Sequence, residues 1–127
     1  MSLIVGVGAS RGVTIAEVGA LIDRLWLEHG LDPSRLTAFA TIDLKAAEPG
    51  LVAIAGAYHC QLLTYPARVL ATVTVPNPST VVRERTGTSS VAEAAALYCA
   101  AQLGENARLV VPKLKSPAAT CAVAEHR

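Results

Sequence analysis

An apolar, β-branched run at residues 3–7 passes through Gly6, Gly8 and Gly12 into Thr14, with Glu17 three residues further on. A buried strand, a glycine turn and a capped helix in immediate succession commit the chain to a βα unit. The helix stripe is Ile15, Val18, Ile22, Leu25 and Trp26, with Glu17, Arg24 and Glu28 off it and Gly30 as its stop. The alternation then repeats: a strand at residues 36–42, a helix opened by Pro49-Gly50 to about residue 57, and a strand at 61–65. Residues 71–75 read as extended, Pro76-Asn77-Pro78-Ser79 as a stiff loop, and 79–85 as a short helix ended near Gly87. Ser90 with Glu93 forms a second capping box before the Ala-rich helix at 91–102, which Gly104 stops. Residues 109–111 and 120–124 are the last strands, joined by a basic loop at 113–117. This pattern predicts the α/β class: a three-layer α/β/α sandwich on a mostly parallel sheet, with an antiparallel edge strand from the final pair. At this length residues 1–127 are expected to form one domain, with no internal repeat or linker.

Composition narrows the function. Hydrophobic residues are 52% and charged residues 17%, which excludes a disordered chain; with only 4% aromatic, the core must be built from Ala, Val, Leu and Ile. The charge is +1, from 11 basic and 10 acidic residues, and stacking aromatics are scarce, so nucleic acid is not an expected partner. Cys60, Cys99 and Cys121 are odd in number and far apart, with no C-x-x-C or zinc-ligand spacing. No disulfide and no metal is therefore expected; the thiols should fill the core, and a reducing cytoplasm fits best. The start lacks the pattern of a signal peptide. The longest uncharged stretch, 49–67, is interrupted by Gly50, Gly56, His59, Gln61 and Pro66, so no membrane association is expected.

Four segments can carry chemistry. The glycine turn around Gly8, Arg11 and Gly12 serves either packing or an anion held on free N–H groups at the helix start. Arg11 occupies the place of the third glycine of G-x-G-x-x-G, and no Lys-Ser/Thr follows, so neither a dinucleotide nor any other cofactor is expected. Asp43, Lys45 and Glu48 follow the second strand, at the sheet edge where α/β proteins bind ligands, or else are solvated charges around a helix cap. The loop with Asn77 and Ser79, continued by Arg83, Arg85 and Thr88, offers amides and hydroxyls, or else caps two helices. Lys113, Lys115 and Ser116 follow a strand in a loop fenced by prolines, either a ligand loop or a solvated turn. His29, His59 and His126 form no triad with these residues, and no G-x-S-x-G elbow occurs.

Taken together, Gly6-Val7-Gly8 with Arg11-Gly12, Ile42-Asp43-Leu44-Lys45-Ala46 with Glu48-Pro49-Gly50-Leu51, and Val75-Pro76-Asn77-Pro78-Ser79 resemble the CobE/CbiG C-terminal domain family of cobalamin (vitamin B12) biosynthesis. Thr86-Gly87-Thr88 with the stretch from Ser90 to Leu97, and Val111-Pro112-Lys113 with Lys115-Ser116, continue the match in family order. Departures are Ala9 and Ser10, where members often carry Cys and a second basic residue, Ala47 in place of a common acid, and Thr80 in place of a common Glu.

The resemblance implies the same three-layer sandwich. Longer members carry this domain behind others and are associated with opening a cobalt-precorrin lactone and releasing acetaldehyde. The present chain resembles the stand-alone form. Corrin intermediates are apolar macrocycles ringed by carboxylates, so a binder needs dispersed cationic and amide donors around an apolar platform. The expected reading is a corrin carrier or accessory factor using Gly8, Arg11, Gly12, Asp43, Lys45, Asn77, Ser79, Thr88, Lys113, Lys115 and Ser116. The alternatives are a precorrin lactone hydrolase, in which Asp43 or Glu48 activates water and Lys113 or Lys115 steadies the oxyanion, and a docking module for a corrin-modifying enzyme.

Overall fold

The computed structural model describes residues 1–75 and 90–127. The proline-rich loop and the short helix expected over 76–85, with Asn77, Ser79 and Thr88, lie outside the described residues. Among the described residues nine helices and strands follow in order: β1 (Ser2–Ala9), α1 (Ile15–His29), β2 (Leu36–Ile42), α2 (Pro49–Ala57), β3 (Gln61–Tyr65), α3 (Ala67–Leu70), α4 (Val91–Leu103), β4 (Arg108–Lys115) and β5 (Ala119–His126). Single 3-10 turns, Pro33–Arg35 and Asp43–Lys45, flank β2.

Local chemistry explains the helix ends. Thr14 Oγ1 accepts the Glu17 N–H at 3.1 Å, and Gly30 closes α1 in the left-handed region at φ 60. Pro49 starts α2 from the first turn, where its missing N–H costs nothing. Two expectations change in detail. Ile15, placed on the α1 stripe, is exposed, and Leu21 is buried with Val18, Ile22 and Leu25 instead. Residues 71–75 form no strand: Pro66 caps α3, a turn follows, and Val73 and Val75 are half-buried against the core that includes Leu70 and the alanines of α4.

The sheet runs β3-β2-β1-β5-β4. The pairs β1–β2 and β2–β3 are parallel, whereas β5 is antiparallel to both of its neighbours, β1 and β4. The antiparallel strand is therefore interior rather than at an edge, and β4 forms that edge, running in the direction of β1. The reason lies in β5 itself: residues 121–124 are buried on both faces, as an interior strand requires.

Side chains along β1 alternate between two cores. Leu3, Val5 and Val7 join Phe39 and the apolar faces of α1 and α2 on one side. Ile4 joins Ala38, Ala40, Ile42 and the alanines of α4 on the other. This is the three-layer α/β/α arrangement, and its core is aliphatic and small as composition demanded. With mostly alanine on its sheet-facing side, α4 lies close on β1. At Gly6 there is no room for a Cβ, which would overlap the Ala92 carbonyl oxygen and lie 2.8 Å from the Ala96 nitrogen.

Candidate functional site

The carboxyl ends of β1, β2 and β4 meet at one edge of the sheet, together with the start of β5 and the N-terminus of α4. They enclose a pocket of about 520 Å³. Gly8, Arg11, Lys45, Lys113, Lys115 and Ser116, all expected from sequence, line it. Gly12, Asp43 and Glu48 do not line it. Ser10, Leu44, Ser90 and Thr120 line it too and were not anticipated as contacts. The lining holds four cationic side chains and, among the described residues, no carboxylate, although the whole chain is nearly neutral.

Each wall has a local origin. At the glycine turn Gly12 adopts φ +81, and its N–H donates to Glu48 Oε1 at 2.8 Å. Glu48 thus ties the β1–α1 loop to the entry of α2, which accounts for its place in the pattern without a ligand. Ser10 N–H donates to the Ala118 carbonyl at 2.8 Å, joining the glycine turn to the β4–β5 loop. After β2, the Asp43–Lys45 turn turns Lys45 inward and leaves Leu44 70% exposed at the pocket. Asp43 is exposed, at the start of that turn. Thr41, fully buried below, donates to the Val7 carbonyl at 2.7 Å and locks β2 to β1 under the site. Ser90 and Val91 bring the N-terminus of the 13-residue α4 to the pocket, and its dipole adds to the positive potential.

Both capping-box glutamates do something the motif does not foretell. In each box the N-cap hydroxyl accepts the glutamate N–H, as expected. The carboxylates, however, reach the lysine-bearing hairpin from opposite faces of the sheet. Glu17 Oε2 accepts the Ser116 hydroxyl and, at 2.6 Å, the Ala118 N–H. Glu93, fully buried, accepts the Lys113 N–H at 2.9 Å. Ser116 therefore lines the pocket with its hydroxyl proton directed to Glu17. Lys113 and Lys115 belong to the end of β4 rather than to a loop, since that strand runs further than the apolar residues alone suggest.

The electrostatics follow from this packing. Burial first, and the neighbouring Lys115 charge second, hold the Lys113 ammonium below the usual lysine range, while Glu93 opposes them. The Ser116 hydroxyl, then the Ala118 N–H, hold Glu17 below the usual carboxylate range. A carboxylate whose folded pKa is depressed stabilises the fold above its unfolded pKa and loses that contribution as pH falls through its folded value. Glu17→Gln is therefore expected to flatten the acid limb. Between about pH 6 and about pH 3, where carboxylates titrate, its urea midpoint should fall less than that of the wild type. Parallel acid limbs would remove Glu17 as a pH-linked brace.

The cysteines stand outside this chemistry. Cys99 and Cys121 are buried and Cys60 is half-buried, all as free thiols. Burial raises each pKa, that of Cys121 to about 12, so these are not nucleophilic thiolates. Among the described residues no His/Cys/Asp/Glu group could hold a metal, and no helix is long and apolar enough to cross a membrane.

Comparison with known proteins shows the family and the fold. The family described as "Cobalamin synthesis G C-terminus" matches residues 3–124. The chain is 36% identical over 124 residues to Protein CobE of Sinorhizobium sp, covering 96% of this chain and 79% of that protein. It is 32% identical over 95 residues to the Cobalt-precorrin-5A hydrolase of Priestia megaterium, covering 75% of this chain but only 25% of the hydrolase. The crystal structure of CobE, a protein from the cobalamin (vitamin B12) biosynthetic pathway, superposes with a TM-score of 0.91 at 38% identity, over 97% of this chain and 92% of that one.

Proposed function

The chain belongs to the Cobalamin synthesis G C-terminus family, is a cobalamin biosynthesis protein, and, we propose, binds a carboxylate-rich corrin intermediate as a carrier or accessory factor. The observation that carries this reading is the segregation of charge. Arg11, Lys45, Lys113 and Lys115 surround one pocket in a protein whose formal charge is only +1. Cationic donors at separate points suit carboxylates spread around a ring better than a single compact anion. The pocket, at about 520 Å³, has room for peripheral carboxylate arms, and the macrocycle would lie across its mouth against the exposed Leu44. Titrating the protein with a carboxylate-rich, metal-free corrinoid at two salt concentrations tests this. The expected result is saturable binding with a shifted corrinoid spectrum and an affinity that falls with salt. Absence of saturable binding would overturn it and direct attention to docking on a corrin-modifying enzyme.

The resemblance to a cobalt-precorrin hydrolase supports a second reading, a catalyst acting on a precorrin lactone. The residues available for water activation support it less. Glu48 is engaged by Gly12, and neither Glu48 nor Asp43 lines the pocket. Turnover of a lactone-bearing precorrin by the purified chain would favour this second reading over the first.

A further inference from the structure

The edge strand β4 is irregular where it supplies the site. Val111 pairs with Val123 and Leu114 with Cys121, so three steps on β4 match two on β5, and one residue is extra. Both Val111 and Leu114 pack into the core beneath α1, which a regular strand forbids for residues three apart. The bulge absorbs Pro112, which has no N–H, and it shifts the residues that follow, so that Lys113 and Lys115 both line the pocket. The Lys113 N–H donates to Glu93 Oε2 across the sheet face. Glu93 comes from the first turn of α4, is 0% exposed, and sits in a helix whose other buried residues are all apolar, alanines with Val91 and Cys99. A carboxylate placed so deep needs partners, and the Lys113 amide is one of them.

We propose that Glu93 is a positioning residue of the site: its buried carboxylate pins the β4 bulge and so holds Lys113 and Lys115 toward the ligand. The inference rests on the proposed binding of a carboxylate-rich ligand through these lysines, and it adds a determinant that lies outside the pocket lining. Geometry supports a specific division of labour. The cation that meets the ligand is the lysine, while Glu93 acts through the backbone amide of that residue. It also faces the Lys113 ammonium as an opposing charge and so favours the protonated form that pairs with carboxylates.

Two variants separate positioning from mere support. Glu93→Gln keeps an amide oxygen that can accept the Lys113 N–H, whereas Glu93→Ala keeps none. Amide hydrogen exchange at Lys113, followed by NMR without ligand, should show protection in the wild type and in Glu93→Gln, and lost protection in Glu93→Ala. Titration with the carboxylate-rich corrinoid should show Glu93→Ala weakened about tenfold or more and Glu93→Gln within about threefold of wild type, because one charge-assisted contact is worth about that factor. Equal protection at Lys113 in all three proteins would overturn the proposal, as would equal affinities. If Glu93→Ala does not fold, Glu93→Asp takes its place: a carboxylate one methylene shorter should no longer reach the Lys113 N–H, so protection and affinity should fall together, whereas unchanged protection, or lost protection with unchanged affinity, overturns the proposal. If the wild type binds no corrinoid while Lys113 protection still depends on residue 93, the binding reading fails and the structural brace stands alone.

Discussion

A Gly6→Ala protein should lose at least about 3 kcal/mol of folding stability, the upper end of overpacking costs, out of a total that for such domains is about 5–15 kcal/mol. The added methyl would overlap the Ala92 carbonyl oxygen and sit 2.8 Å from the Ala96 nitrogen and 2.9 Å from the Ala92 carbonyl carbon. All three are backbone atoms of α4, so no side-chain rotamer relieves the clash and the helix must lift from the sheet. That helix also brings Ser90, Val91 and Glu93 to the site, so any folded fraction should bind ligand poorly. Gly56→Ala is the control. It lies in α2 with open space around the Cβ position, and there alanine should be neutral or stabilising by up to about 1 kcal/mol. Urea denaturation of both variants checks the argument. A Gly6→Ala midpoint close to that of Gly56→Ala would mean that α4 is not seated on β1 as described.

That close seat shows where legibility in the sequence begins and ends. The alanine-rich helix and the glycine in the first strand are both visible, but their meeting is a long-range fact that no local pattern states. Elements with their own punctuation were legible. Thr14, Gly30 and Pro49 mark helix ends by capping chemistry that acts within a few residues. The place of β5 was not, because strand order depends on pairings such as Ser2 with His126 at opposite ends of the chain. Two clues did exist. The unbroken small apolar run in β5 suits an interior strand, and Pro112 in β4 suits an edge. At the site, cations near the carboxyl ends of strands were legible, Arg11 and Lys45 just beyond β1 and β2 and Lys113 and Lys115 within the end of β4, since strands running in one direction bring such positions to one edge. Glu17 and Glu93 were hidden behind a motif. A capping box predicts the backbone bond of its glutamate, and the side chain goes wherever tertiary structure offers unpaired N–H groups, here at a bulge and a tight turn.

Replacing both lysines of β4 should cost about 30- to 100-fold in affinity for a carboxylate-rich corrinoid and little for a fully amidated one. The two contributions differ for a physical reason. Lys113 is half-buried, and a charge-assisted hydrogen bond there is worth about 1.5–3 kcal/mol, so Lys113→Ala alone should lose at least about tenfold. Lys115 is exposed, and solvent screening reduces its pair to about 1 kcal/mol or less, roughly a factor of three to five. The fold should survive, because the pairing of β4 with β5, the Lys113 N–H to Glu93 and the Arg24 guanidinium to the Lys115 carbonyl all use backbone groups of β4 that alanine keeps. The two ligands share a macrocycle and differ in the charge of their arms, so their comparison isolates the ion-pairing part from apolar contact at Leu44. Raising salt should narrow the gap between wild type and double variant for the carboxylate ligand, and should narrow it least for the Lys113 contribution, which is less open to counterions. Equal losses for both ligands would mean that the lysines shape the pocket without pairing with carboxylates, and the charge segregation would then need another explanation.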